Sequence, residues 1–201
     1  MNRPPKSVRP GPSDVSLRPV DGDPQKNPWR TLESREVYEN PWILVREDTV
    51  IRPDGNPGIY GVVHFKNRAI AVVPVDDEGY IHLVGQYRYP LGCYSWELPE
   101  GGCPHDEETL NAARRELLEE TGLVAKQWLL LGTARLSNSV SDEEAFCYLA
   151  TGLTQHDARP EGNEKLEHRR VAVEEAVRMV EEGDITDALS IIGILRYLRL
   201  P

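Results

Sequence analysis

Cysteine is scarce in this chain: Cys93, Cys103 and Cys147 are the three among 201 residues. An odd, sparse count argues against a disulfide framework, and the spacing fits no zinc site. Buried or free thiols in a reducing cytoplasm are the expectation. Long hydrophobic runs are missing as well. No stretch is long enough to cross a membrane, and the first residues hold no apolar run that could act as a secretory signal. Positive charge is in short supply, with 23 Lys and Arg against 33 Asp and Glu and a formal net charge of -10. Such a surface repels nucleic acid backbones and anionic membranes, so neither is an expected partner. It repels an anionic substrate too, so a site for one needs local cations, either metal ions or arginine.

Residues 1–28 carry seven prolines and few large apolar side chains, which reads as a flexible tail. The roughly 170 residues that remain suit one domain, or one domain with a small lobe. Short β-rich runs begin after Trp29: Arg35–Tyr38, Trp42–Val45 continuing through Arg52, and Ile59–Phe65 beyond a dense turn at 53–58. The run Ala69–Val75 is nearly all apolar, as in a buried central strand. Tyr80–Arg88 and Ser95–Leu98 follow as strands. The spacing predicts a helix over 106–121, started by Asp106 and stopped by Gly122. Strands are then expected at Trp128–Leu131 and Ala145–Ala150, a polar loop at 155–163, and helices over 173–182 and 186–198. Strands, one helix, more strands and two helices indicate an α+β layered fold.

The central helix crowds its acids. At about 100° per residue, Glu119, Glu116 and Glu120 span an arc of about 100° beside the apolar stripe of Leu110, Ala113 and Leu117. No lysine lies four residues away to relieve the repulsion. A solvated acidic face is the ordinary reading of such a run. A hard divalent ion is the other, because magnesium takes oxygen ligands and shares them with phosphates.

The surroundings decide between them. Gly101 is followed after five residues by Glu107, and seven residues later comes Arg115-Glu116-Leu117-Leu118-Glu119-Glu120-Thr121-Gly122-Leu123. This resembles the full Nudix signature, G-x5-E-x7-R-E-U-x-E-E-x-G-U with U aliphatic, at every position. Seven fixed residues give a chance match on the order of one in a billion per start position. Gln86-Tyr87-Arg88, then Glu97-Leu98-Pro99-Glu100-Gly101-Gly102, is similar to the ADP-ribose and nucleotide-sugar pyrophosphatase branch of that family, as are the leading strands and the ending Asp184–Ala188.

The resemblance implies a Nudix α/β/α sandwich with a mixed central sheet over 67–201. A small antiparallel strand lobe over 29–66 precedes it and serves dimerisation and base binding. It implies hydrolysis of the diphosphate bond of a nucleoside diphosphate sugar, with magnesium as cofactor and manganese as a substitute. The metal ligands would be Glu116, Glu120, Glu119 and the carbonyl of Glu100. Glu107 and Arg115 would brace the loop and helix. Arg88 would contact the diphosphate, with Glu97 facing the same cleft. Trp42 and Tyr60 would stack on the base across a homodimer interface. Glu164 would be the general base, with Glu167 and Glu119 as its rivals. ADP-ribose enzymes of the branch carry a proline about sixteen residues past the signature. The stretch 135–143 has none here, which leaves GDP-mannose open beside ADP-ribose. Two further readings are another Nudix pyrophosphohydrolase, acting on dinucleoside polyphosphates or coenzyme A, and a nucleotide-sugar sensor without catalysis. Three crowded carboxylates speak against the sensor.

Overall fold

Ten strands and three helices account for the elements of the computed structural model, which describes residues 27–156 and 166–201. The proline-rich stretch 1–26, Glu164 and most of the expected polar loop lie outside the described residues. Strands β1 (Arg30–Glu39), β2 (Ile43–Ile51) and β3 (Pro57–Phe65) form an antiparallel three-stranded sheet in chain order. β1 is exposed along its whole length. The turn at 53–55 closes with the Gly55 N–H donating to the Arg52 carbonyl at 2.9 Å, and Gly55 takes φ 83°, which favours a residue without Cβ.

The second sheet is mixed. Its strands are β4 (Asn67–Val75), β5 (Tyr80–Arg88), β6 (Cys93–Glu97), β7 (Glu100–Pro104), β8 (Leu123–Arg135), β9 (Glu144–Gln155) and β10 (Glu167–Ala172). The order runs β10-β5-β4-β9-β8, and β4 is parallel to β9. β4 and β5 meet at a single pair, Val75–Ile81, and then diverge. β6 continues along β5 and β7 along β4. The chain crosses this split at Leu98 and Pro99, and there Arg88, Glu97 and Glu100 come together.

Helices cover both faces of the sheet. Alternating residues of β4 face opposite sides, as the strand period requires. Ile70 and Val72 pack with Ala112, Ala113 and Leu117 of α1 (Thr109–Thr121). Ala71, Val73 and Val75 pack with Ala176 and Met179 of α2 (Val173–Glu182) and Leu189 and Ile194 of α3 (Ala188–Tyr197). The α/β/α sandwich with a leading antiparallel sheet is therefore the fold expected from the sequence.

Several local expectations need correction: β7 is an additional strand, and β9 runs 12 residues where Ala145–Ala150 is expected, taking in Gln155 of the expected loop. α1 begins at Thr109, three residues late, and its N-cap is Glu108 rather than Asp106, with no side-chain cap bond. Residues 105–108 form a turn held by other partners, described below. β8 runs 13 residues where Trp128–Leu131 was expected, because its half-exposed ends carry no clear period. β10 was not expected at all: Glu167-His168-Arg169-Arg170 is too polar to read as a strand, but an edge strand tolerates and often uses such charge. The end of α1 at Gly122 (φ 73°, left-handed) and the bounds of α2 stand as expected.

Candidate active site

The split between β4 and β5 sets the site. Arg88 ends β5, Glu97 ends β6 and Glu100 begins β7, so three charged side chains converge on one connection. Arg88 Nε donates to both Glu97 oxygens at 2.9 and 3.0 Å, and Nη2 donates to Glu97 Oε2 and, at 2.6 Å, to Glu100 Oε1. Glu97 has a side chain only 3% exposed, so this charge is compensated almost wholly by Arg88. With Nε and Nη2 occupied, the Nη1 edge of Arg88 is what remains for a ligand. A cleft of about 390 Å³ opens beside it, lined by Arg88, Ser95, Glu97, Glu100, Thr186 and Asp187 among others.

The two carboxyls are driven apart. Burial pushes Glu97 up, but the Arg88 hydrogen bonds and charge, helped by Ser95, outweigh it and hold the group below the usual range. Burial also pushes Glu100 up, and the charges of Asp187 and Glu97 add to it; Arg88 offsets only part, so this carboxyl stands well above the ordinary value. Glu100 Oε2 is buried without a hydrogen-bond partner. Glu143, in the turn between β8 and β9, is likewise raised by burial and by Asp187 and Asp142.

The backbone is pinned at each residue of the crossing. The Leu98 N–H donates to Ser190 Oγ at 2.8 Å, the Pro99 carbonyl accepts from Val72 N–H at 2.9 Å, and the Glu100 N–H donates to Glu120 Oε2 at 3.0 Å. The last bond joins the cleft to the acidic helix. Gly101 brings the two closer still: a Cβ there would stand 2.2 Å from the carboxylate carbon of Glu116. The absence of a side chain is a geometric requirement at this position.

Arg115 organises the acids of α1. Its Nη1 donates to Glu116 at 2.7 Å and Glu119 at 3.2 Å, and its Nη2 donates to the Gly102 carbonyl at 2.8 Å and Glu107 at 3.1 Å. Glu107 and Arg115, expected to brace the loop and helix, are hydrogen-bonded to each other. Glu116, Glu119, Glu120 and the Glu100 carbonyl offer only oxygen donors, which fits a hard divalent cation. Among the described residues no three acids are already gathered around one cation position; Arg115 stands between Glu116 and Glu119, so a bound ion must share them with it.

The expected base-stacking pair is not brought together within one chain. Tyr60 pairs with Asp48 on β2, six residues along the strand from Trp42, a separation of roughly 20 Å at the rise of a strand. Tyr60 packs edge-on to Trp29 at 5.2 Å and donates its hydroxyl to the Ser139 carbonyl at 2.6 Å. Trp42 is 68% exposed. A second hollow, on the small sheet, is lined by Ser34, Arg35, Arg46 and His64 and holds none of the signature acids. Glu167, the rival base, accepts from the Tyr94 hydroxyl at 3.0 Å.

Sequence reasoning passed over Arg68, Glu143 and Asp187. Asp187 had a findable signal, an acid just before an apolar helix, and its Oδ2 does cap α3 by accepting from Ser190 N–H at 2.7 Å. Arg68 and Glu143 carry no comparable mark.

Known families match two adjoining stretches of the chain. A nucleoside diphosphate sugar hydrolase N-terminal domain matches residues 29–63 and a NUDIX domain matches residues 65–189. The chain belongs to the Nudix family. Within it, the chain is a pyrophosphohydrolase of the ADP-ribose and nucleotide-sugar branch. It is 36% identical over 173 residues to an ADP-ribose pyrophosphatase of Mycobacterium tuberculosis, covering 83% of this chain and 82% of that protein. It is 31% identical to an ADP-ribose pyrophosphatase of Bacillus subtilis, covering 85% and 92%. The crystal structure of an ADP compounds hydrolase shares the fold, with a TM-score of 0.77 at 19% identity over 85% of this chain and 92% of that one. No helix among the described residues is long and apolar enough to cross a membrane.

Proposed function

We propose that this protein is a magnesium-dependent hydrolase that cuts the diphosphate bond of ADP-ribose or a close nucleoside diphosphate sugar, releasing a nucleoside monophosphate and a sugar phosphate. The observation that carries the reading is the bond from the Glu100 N–H to Glu120, which sets the Arg88 cleft directly against the signature carboxylates. A diphosphate spanning the two would meet a guanidinium edge at one end and oxygen ligands for a metal at the other. The ADP-ribose pyrophosphatases among the relatives favour ADP-ribose over GDP-mannose. Manganese would serve as a substitute ion.

Each residue then has a part. Arg88 holds a diphosphate oxygen through Nη1, and Glu97 fixes the plane of that guanidinium. Glu116, Glu120, Glu119 and the Glu100 carbonyl would hold the ion. Bound magnesium would neutralise charge on the diphosphate and lower the pKa of a coordinated water. Glu164 would take the proton of the attacking water, with Glu119 and Glu167 as rivals. The lobe over 29–66 and the domain over 67–201 form a homodimer in which Trp42 and Tyr60, too far apart in one chain, meet a base from different copies. The cytoplasm is the proposed compartment.

A panel of ADP-ribose, GDP-mannose and UDP-glucose with magnesium tests the reading. ADP-ribose is expected to turn over fastest. No turnover of any of the three, or equal turnover in Glu116→Gln and Glu120→Gln, would contradict it.

A further inference from the structure

Arg68 stands on β4 and touches neither the cleft nor the signature carboxylates, yet its side chain is spent on the chain that leads into them. Its register partner across the ladder is Cys103 of β7. Arg68 Nη2 donates to the Pro104 carbonyl at 3.0 Å, the Glu107 carbonyl at 2.5 Å and Cys103 Sγ at 3.3 Å. Cys103 Sγ reaches the same two carbonyls at 3.5 and 3.4 Å. These carbonyls belong to the turn between β7 and α1, which the Glu107 N–H closes by donating to Pro104 at 3.0 Å. This is the turn that delays the start of α1.

The contacts continue toward the acids. Arg68 fixes the backbone of Glu107, and the Glu107 carboxylate accepts from Arg115 Nη2 at 3.1 Å. Arg115 Nη1 reaches Glu116 and Glu119. Because a guanidinium is a rigid fork, its position at one nitrogen sets its position at the other. We infer that Arg68 is a positioning residue for the metal-binding carboxylates, acting through Glu107 and Arg115.

A simpler role, joining β4 to β7, is poorly matched by what the side chain does. The backbone ladder already joins those strands over five residue pairs. Arg68 Nε is buried without a hydrogen-bond partner, a cost that an apolar side chain of similar length would not incur. The guanidinium also lies over the Phe146 ring, 5.9 Å from its centroid, but the backbone groups it reaches are those of the turn that carries Glu107.

The inference rests on a divalent ion binding at Glu116, Glu119 and Glu120, so the readout is ion binding rather than turnover alone. Magnesium is titrated calorimetrically into the wild-type chain, Arg68→Met, Arg68→Lys, Glu107→Gln and the Arg68→Met/Glu107→Gln double variant, with melting temperatures alongside. Arg68→Met is expected to weaken magnesium binding by about tenfold or more, as loss of an outer-shell partner does. KM for ADP-ribose at saturating magnesium is expected to change less than about twofold. Arg68→Lys, whose ammonium can still donate to both carbonyls, is expected to recover most of the binding. The double variant is expected to bind magnesium no worse than Glu107→Gln alone. Unchanged magnesium affinity in folded Arg68→Met, or additive losses in the double variant, would overturn the inference. Should Arg68→Met not fold, Arg68→Gln takes its place in the same cycle and is judged by the same criterion. A wild-type chain that binds no divalent ion overturns the metal reading and this inference with it.

Discussion

At residue 101 the chain has no side chain, and the carboxylate of Glu116 occupies the space where one would be. Gly101→Ala therefore has to move either the crossing at Leu98–Glu100 or the Glu116 carboxylate. Magnesium affinity is expected to fall by about tenfold, measured by calorimetry, with a small change in melting temperature. Arg88 has a different economy. Its partner Glu97 is almost wholly buried, so Arg88→Ala strands a carboxylate and is expected to cost about 3 kcal/mol in denaturant unfolding. Arg88→Lys keeps the charge but not the fork, so KM for ADP-ribose is expected to rise roughly tenfold while the fold survives. Much at this scale was legible in the sequence. The spacing of Gly101, Glu107, Arg115, Glu116, Glu119 and Glu120 is readable in the sequence alone, and the fold brings Gly101 against Glu116 and Arg115 against Glu107, Glu116 and Glu119. Asp187 was legible as the cap of α3, through Ser190 three residues on, but not as a neighbour of Glu100. Arg68 was not legible, since its partners on β7 and the turn after it lie more than 30 residues away.

Among the elements, α3 and β10 set the limits of sequence reading. Helices α2 and α3 were legible because an apolar period of 3.6 has to face the sheet. The part α3 plays in the site was not. Ser190, fully buried, accepts the Leu98 N–H between Glu97 and Glu100, and nothing in the pattern of a helix announces such a contact. Ser190→Ala would leave that N–H buried without an acceptor, and a loss of about 1–3 kcal/mol is expected by chemical denaturation. β10 is a polar edge strand held to β5 through His168 and His82, whose ring nitrogens lie 2.9 Å apart with the rings stacked at 5.0 Å. Burial lowers both histidines, and for His82 the charges of His168 and Arg170 lower it further while Asp76, 3.6 Å away, opposes. The folded state therefore disfavours the protonated form of each. This contribution to stability is whole above the unfolded value of about 6.5 and is lost as pH falls below it. The melting temperature is expected to drop between pH 7 and pH 5, and to drop less in His168→Gln. An equal drop in both would remove the pair from the account.

Across the whole molecule, the formal charge of -10 leaves an anionic substrate to be drawn in by a few local positive groups. Arg88 and a bound divalent ion are the groups proposed for that task. The sandwich was legible because the apolar run of β4 and the helical periods of α1, α2 and α3 mark a buried strand with helices to cover it. The proposed pairing of two chains rests on the resemblance and on an exposed strand, because no pattern inside one chain specifies a surface on another. β1 is exposed along all ten residues, and Leu32, Tyr38 and Trp42 are each more than half exposed. Light scattering at micromolar concentration is expected to give a dimer, and a monomer would remove the shared role of Trp42 and Tyr60. The central claim rests on something narrower, the joining of the Arg88 cleft to the carboxylates of α1. It is tested most directly by following ADP-ribose with added magnesium in the wild-type chain, Glu116→Gln and Glu120→Gln. AMP and ribose 5-phosphate are expected from the wild type, at a rate about 10³-fold higher than from either variant. Equal rates in all three, or a wild-type chain that leaves ADP-ribose intact, would contradict the account.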